Sequence, residues 1–396
     1  MHHYFSPAGR VKPGVLAALV VVSGVALAPL GPVRAATDVD ADAKQAVVDH
    51  YAAGVDAAYE ASYNSATAME IAIDTFLADP TDETLEAAKQ AWLTARDDYA
   101  LTEAFRFYGG PIDNETDGPE GMINAWPLDE AYIDYVDGDP TAGVINDPDT
   151  YPTIDADLLM SLNEQGGEAN ISTGWHAIEF LLWGQDLSED GPGERPVTDY
   201  TTADNADRRA TYLNVVSDLL SVHLVELLDA WAPDSDNYRG EFVALEPDEA
   251  LTHIITGIGE LTRGELAGER MYVAYSERSQ EDEHSCFSDN TTADLVGNAQ
   301  GIANVLTGAY PGAEGPGLLS LFEAADADAA AALQESVDAS LAALAAIPAP
   351  FDQHLADGVS DDEPGRASIL TAIDALEAQA TALVVAAETV VVTVEI

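Results

Sequence analysis

His176 and Glu179 stand three residues apart in the stretch "ISTGWHAIEFLLWGQ", Ile171 to Gln185. On a helix, positions i and i+3 project from nearly the same face, so one imidazole and one carboxylate can meet a single cation or substrate. Ser172 or Thr173 is a natural N-cap for that helix, which places His176 in the first turn. The positive end of the helix dipole disfavours imidazolium and keeps a metal-binding lone pair available near neutral pH. Gly174 lets another backbone approach closely. Glu179 is surrounded in sequence by Phe180, Leu181, Leu182 and Trp183, where an unpaired carboxylate is costly, so it needs a cation or a donor nearby. The same spacing also suits a core histidine bonded to a neighbouring carboxylate, because a lone H-x-x-E arises often by chance.

A second constellation lies in "AWLTARDDYALTEAFRF". Trp92, Arg96, Glu103 and Phe107 fall at offsets of four, seven and four, which puts all four on one helical stripe, and Arg96 and Glu103 inside an apolar stripe suggest a buried polar site. A structural ion pair with another helix meets the same pattern. The third stretch is "SQEDEHSCFSDNTTADL". Glu281 and Asp282 read as a solvated charge run, Glu283 and His284 follow them, and Ser288, Asp289 and Asn290 can each cap a helix beginning near Thr291. Cys286 is the one cysteine. Its acidic neighbours suppress the thiolate, which argues against a nucleophile, and a lone thiol makes no intramolecular bridge. HExxH, Gly-rich phosphate loops, GxSxG and paired CxxC motifs do not occur.

These stretches resemble the imelysin family. "GWHAIEFLLWG" is similar to that family's G-x-H-x-x-E signature. "AWLTARDDYALTEAFRFYGGPID", "EGMINAWPLDEAYIDYV", "GELAGERM" and "SQEDEHSCFSDNT" are similar to blocks of its iron-regulated branch, together spanning most of residues 85–310. The resemblance implies an all-α fold of two packed helical bundles with the site near their junction. It implies His176 and Glu179 as metal ligands, Glu103 as their acidic partner from an earlier helix, and Arg96 and Asp289 as supporting residues. The expected function is binding of a metal ion, iron, in uptake or iron-regulated physiology. A permease or receptor of an iron-uptake system is the expected protein partner. An imelysin-type metallopeptidase and a binding module for a non-metal ligand are the alternatives. The peptidase needs a base to activate water at an open metal position, and the signature supplies no evident one.

The elements that must carry these residues are helical. The chain has 396 residues, 47% of them apolar, enough for two domains of ordinary size. Abundant Ala, with Gly and Pro as punctuation and no long period-two runs, predicts helices joined by loops. Helices are expected from residue 40 to 79, from 82 to Gly109, at 172–184, 205–232, 247–279, 291–309, 315–347 and 363–390, with a loop-rich insertion at about 109–170. Residues 36–240 and 241–396 are the expected N- and C-terminal bundles. Residues 1–35 read as an export signal: Arg10 and Lys12 precede the apolar run Val15 to Leu30, and Val33 and Ala35 are small enough for cleavage. The mature protein is expected outside the cytoplasm, soluble and without stable membrane insertion.

The formal net charge is -56, and without residues 1–35 it is 12 basic minus 71 acidic residues, or -59. Such a surface repels nucleic acid and anionic lipid and attracts cations diffusely. Adaptation to high salt, which screens the self-repulsion, accounts for it.

Overall fold

A computed structural model describes residues 39–188, 191–233, 236–356 and 358–390. The expected signal, residues 1–35, and residues 391–396 lie outside them. The long first helix α1 (Ala41–Ala78) starts at Asp40, whose carboxylate accepts from the Asp42 amide. Buried residues at Val47, Val48, Tyr51, Val55, Ala58 and Tyr59, then Met69, Ile73 and Phe76, recur at helical spacing and give it one core-facing stripe. A capping box between Thr81 and Thr84 opens α2 (Asp82–Ala100), which packs back along α1.

From Leu101 to Phe105 the backbone tightens into a 3-10 turn and stops at Arg106. The expected continuation to Gly109 does not form. The insertion that follows is loop-rich, with four short helices: α3 (Glu120–Ile123), α4 (Glu130–Ile133), α5 (Gly143–Asn146) and α6 (Ala156–Leu162). It leads into α7 (Gly174–Trp183), in which every residue is buried. This helix packs on α2 and on the long α8 (Ala206–Trp231), which also lies along α1.

After α9 (Tyr238–Phe242), α10 (Pro247–Glu260) runs directly into a π-helical segment, Leu261–Val273, and a last turn, α11 (Ala274–Glu277). The sequence reading of a helix over this region holds, but the widening to i→i+5 bonds was not legible in it. A loop with the motif residues 279–290 then enters α12 (Thr291–Thr307), followed by a two-stranded hairpin (β1 Ala309–Tyr310, β2 Ala313–Glu314) and α13 (Leu318–Ala325), α14 (Ala327–Leu344) and α15 (Pro364–Thr389). The fold is all-α, with this hairpin as the only paired strands among the described residues.

Residues 36–396 form one compact unit. Helices on either side of residue 240 are in contact: α10 packs on α1, and α12 packs on α2 and on the 3-10 turn. Helix α15 alone among the described residues is long and apolar enough to cross a membrane. It packs instead on α14 and the π segment, burying Ile369, Leu376, Leu383 and Ala387.

Candidate functional site

Helix α7, the 279–290 loop, α2, α12 and the start of the insertion meet around His176. Gly174 opens α7 at φ +84°, and a Cβ there would run into the Ile123 carbonyl. Only glycine holds that backbone against the insertion. Thr173 is the N-cap, but its hydroxyl bonds Asn163 and not the helix, while Ser172 bonds the Leu159 carbonyl. The side-chain caps expected of these two residues are replaced by tethers to the insertion.

His176 Nδ1 lies 2.9 Å from Glu179 Oε2. The other oxygen of Glu179 accepts from the Ser288 amide at 2.9 Å and the Ser288 hydroxyl at 2.6 Å. Both groups are buried. Burial pushes Glu179 up to about 8, against the Ser288 bonds that favour its anion. Burial, then His284 and Arg96, holds His176 well below the ordinary imidazole value. Both charged forms are therefore disfavoured at neutral pH, and the short contact is a hydrogen bond rather than an ion pair. His176 Nε2 is buried with no partner.

A second imidazole faces the first. The rings of His176 and His284 are 4.7 Å apart between centroids at 76°. Trp126 packs 4.6 Å from His176 and 6.3 Å from His284. His284 Nδ1 lies 3.1 Å from Asp294 Oδ2 and 3.3 Å from Arg96. The shorter contact marks Asp294 as the acceptor of the Nδ1 proton, which leaves His284 Nε2 as the lone-pair nitrogen. Burial and Arg270 pull His284 down to about 4, against the bond to Asp294. Asp294 is itself held far below the carboxylate range: burial opposes ionisation, but Arg96 and His284 overcome it. His284 thus has its Nδ1 on an anion, Asp294, the arrangement by which proteins orient a histidine and raise its basicity at Nε2, whereas the Glu179 that meets His176 Nδ1 is a neutral carboxyl near pH 7.

Arg96, expected as a supporting residue, reaches Asp294 and His284 and bonds neither His176 nor Glu179. Its guanidinium grips Asp294 at 3.0–3.2 Å and donates to Asn124 at 2.5 Å. Glu103 does not join the pair on α7. Its Oε2 accepts from Arg106 at 2.8 Å and Arg270 at 2.6 Å, and Asn124 approaches its Oε1 at 3.5 Å. Burial opposes its ionisation, but the two guanidinium groups hold it an anion. This corrects the expectation for Glu103 as the acidic partner: the break of α2 at Ala100 turns residue 103 off the stripe of Trp92 and Arg96, toward the π segment. The pair meets the structural alternative, an ion pair with another helix. Asp289 sits at φ +59° with Oδ1 buried and unpartnered, and it bonds neither His176 nor Glu179. Its neighbour Ser288 makes the contact to Glu179. Asn290 caps α12 by position without a side-chain cap bond and donates to Asp294. Cys286 is buried, and burial followed by nearby carboxylates raises its thiol far from reactivity.

A cleft of about 440 Å³ reaches His284 and Trp126 past Arg106 and Arg270. Its remaining wall is acidic, with Glu120, Glu164, Glu168, Glu265, Glu269 and Asp282. It offers a cation an attractive path to His284. Among the described residues no group of three or more His, Cys, Asp or Glu is set to hold a metal ion on its own. The orphaned Nε2 of His176 and the carboxylate-backed His284 beside it nonetheless fit imidazole ligation of a borderline cation such as iron.

An all-helical chain with a G-x-H-x-x-E helix at its centre defines a class, and the family comparison agrees: residues 55–383 match the model described as Imelysin, so the chain belongs to the imelysin peptidase family. Among named relatives it is similar to Iron-regulated protein A of Synechococcus elongatus, 27% identical over 323 residues, covering 79% of this chain and 77% of the relative. Two crystal structures share the fold. One is described as an iron-regulated protein A precursor from Parabacteroides distasonis, with a TM-score of 0.70 at 18% identity over 89% of this chain and 96% of that one. The other is an imelysin-like protein from Psychrobacter arcticum, with a TM-score of 0.65 at 13% identity over 92% and 100%.

Proposed function

We propose that this imelysin-family protein binds an iron ion as cargo at His176 and His284, outside the cytoplasm. The observation that carries the reading is the Nε2 atom of His176, buried without a partner while Glu179 fixes the opposite ring nitrogen. A buried polar atom left unsatisfied calls for a ligand or water that completes it. In this reading Nε2 of each histidine faces the ion, Glu179 and Asp294 set the tautomers, and water or groups carried by the ion fill its other positions. In this reading Glu179 supports His176 from behind, one oxygen on Nδ1 and the other on Ser288. The resemblance to an iron-regulated protein and the leader-like residues 1–35 support iron and export, with a permease or receptor as the acceptor of the cargo.

Binding at Nε2 favours the Glu179 anion, which accepts the Nδ1 proton. A carboxyl poised at about 8 therefore gives up its proton when the ion arrives. The peptidase reading needs a base facing an open metal position; Glu179 and Asp294 instead sit behind the imidazoles, engaged with Ser288 and Arg96. Metal analysis of purified protein, with casein digestion run beside it, separates the readings. Iron retained by the wild type and lost in the double variant His176→Gln/His284→Gln, without chelator-sensitive digestion, is the expected result. Digestion lost in the same variant would establish the peptidase instead.

A further inference from the structure

A second cleft, of about 1090 Å³, lies away from the one that reaches His284, with Ser288 among its lining residues. Trp183, Leu93, Tyr135 and Leu187 give it an apolar wall, and Leu187 is 73% exposed. Two cations of this acid-rich chain line the same cleft, Lys89 and Arg195. Lys89 is half-buried, its ammonium 5.3 Å from the Trp183 ring centroid, and no carboxylate among the described residues lies within ion-pair distance of it. Arg195 is tied to this end of the cleft by its own amide, which donates to the Trp183 carbonyl at 2.7 Å. Its terminal nitrogens hold Asp134, Asp199 and the Phe180 carbonyl, yet its Nε is buried without a partner. Lys89 is lowered from its usual value by burial, against the pull of Glu86, with Arg195 adding repulsion.

A half-buried lysine gains from an anion beside it, and an N–H donor buried without an acceptor adds a cost of its own. Both groups line one cleft, with an indole face beside the lysine. Pockets for small molecules combine that kind of apolar wall with a few fixed polar groups. The other charges lining the cleft, Glu86, Asp137, Asp186 and Glu194, are acidic and disfavour a ligand with more than one negative charge.

We propose that the Trp183 end of this cleft binds a small monocarboxylate with an aromatic or branched apolar body. The carboxylate sits between the Lys89 ammonium and Arg195 Nε–H, both charge-assisted donors, and the body lies against Trp183 and Leu93. This site is independent of the iron reading, since Lys89 touches none of the residues around His176.

The test is calorimetry and tryptophan fluorescence on the whole chain at constant ionic strength, with benzoate and 3-methylbutanoate as probes and benzylamine as the charge-reversed control. Saturable binding of one or both acids, with no binding of benzylamine, is expected. Lys89→Met should weaken the acids by about tenfold or more, while Lys89→Arg keeps most of the affinity and both variants keep wild-type iron content. Failure of both acids to bind the wild type, equal binding of benzylamine, or undiminished binding by a folded Lys89→Met protein would overturn the proposal. Loss of iron binding with carboxylate binding intact would sink the reading of the His176 centre and leave this one standing.

Discussion

Asp134 and His176 are both buried polar groups held by neighbours from distant parts of the chain, and they end differently. Asp134 Oδ1 accepts from Asn146 at 3.1 Å and Arg209 at 2.8 Å; its Oδ2 accepts from Arg195 at 2.8 Å and Arg209 at 2.6 Å. Both oxygens are saturated, and burial is overcome by Arg209 and Arg195, which hold the carboxyl low. The result is a strut joining the insertion to α8 and to the loop after α7. At His176 one nitrogen is fixed with equal care and the other is left open. One network is complete; the other leaves a single buried nitrogen without a partner.

That contrast predicts opposite responses to substitution. Asp134→Asn takes the shared anion from two buried guanidinium groups, of which Arg195 keeps Asp199, and should cost about 3–5 kcal/mol in urea unfolding. A loss below about 1 kcal/mol, the range of ordinary surface changes, would break the comparison. Glu103→Gln should cost about 3 kcal/mol at pH 7, since Arg106 and Arg270 lose their shared anion. Glu103 ionises below its ordinary value of 4.5 when folded, so the unfolded chain takes up the proton first. The stability it supplies is complete above that value and drains away as pH falls below it. Unfolding measured from pH 7 down to 3 should therefore fall more steeply for the wild type than for Glu103→Gln, and parallel curves would contradict the assignment.

Gly174→Ala forces a side chain into the left-handed region and against Ile123, an expected loss of about 1–3 kcal/mol by thermal unfolding. His176→Gln should show the smallest change. With no metal present it should stay within about 1 kcal/mol of the wild type, because the Gln amide offers Glu179 a replacement for Nδ1 and the Nε2 atom lost with the ring satisfies nothing. A large loss in the metal-free protein would instead make His176 part of a strut like that of Asp134.

Much of this was legible from residue type and spacing. Helices, the loop-rich insertion, the burial of Arg96 and the pairing of His176 with Glu179 follow from period, caps and the cost of a lone carboxylate in an apolar run. Glu103 was misplaced because helical phase was carried through Ala100, where the backbone tightens into a 3-10 turn. The role of His284 lay outside what periodicity reveals. It stands in an irregular loop, and its partners Asp294, Arg96 and His176 come from three helices. The π segment that brings Arg270 to Glu103 has the same apolar pattern as an ordinary helix over a short span. Tertiary distance decided each of these cases.

The central claim is a two-histidine iron centre whose tautomers are set from behind. Anaerobic titration of the metal-free protein with ferrous ion near pH 7, following heat and released protons together, tests it most directly. One ion per chain, accompanied by proton release that fades above pH 8, and tenfold or greater weakening in both His176→Gln and His284→Gln, is the predicted result. Wild-type protein that takes up no iron, or either folded variant binding as tightly as the wild type, would contradict it.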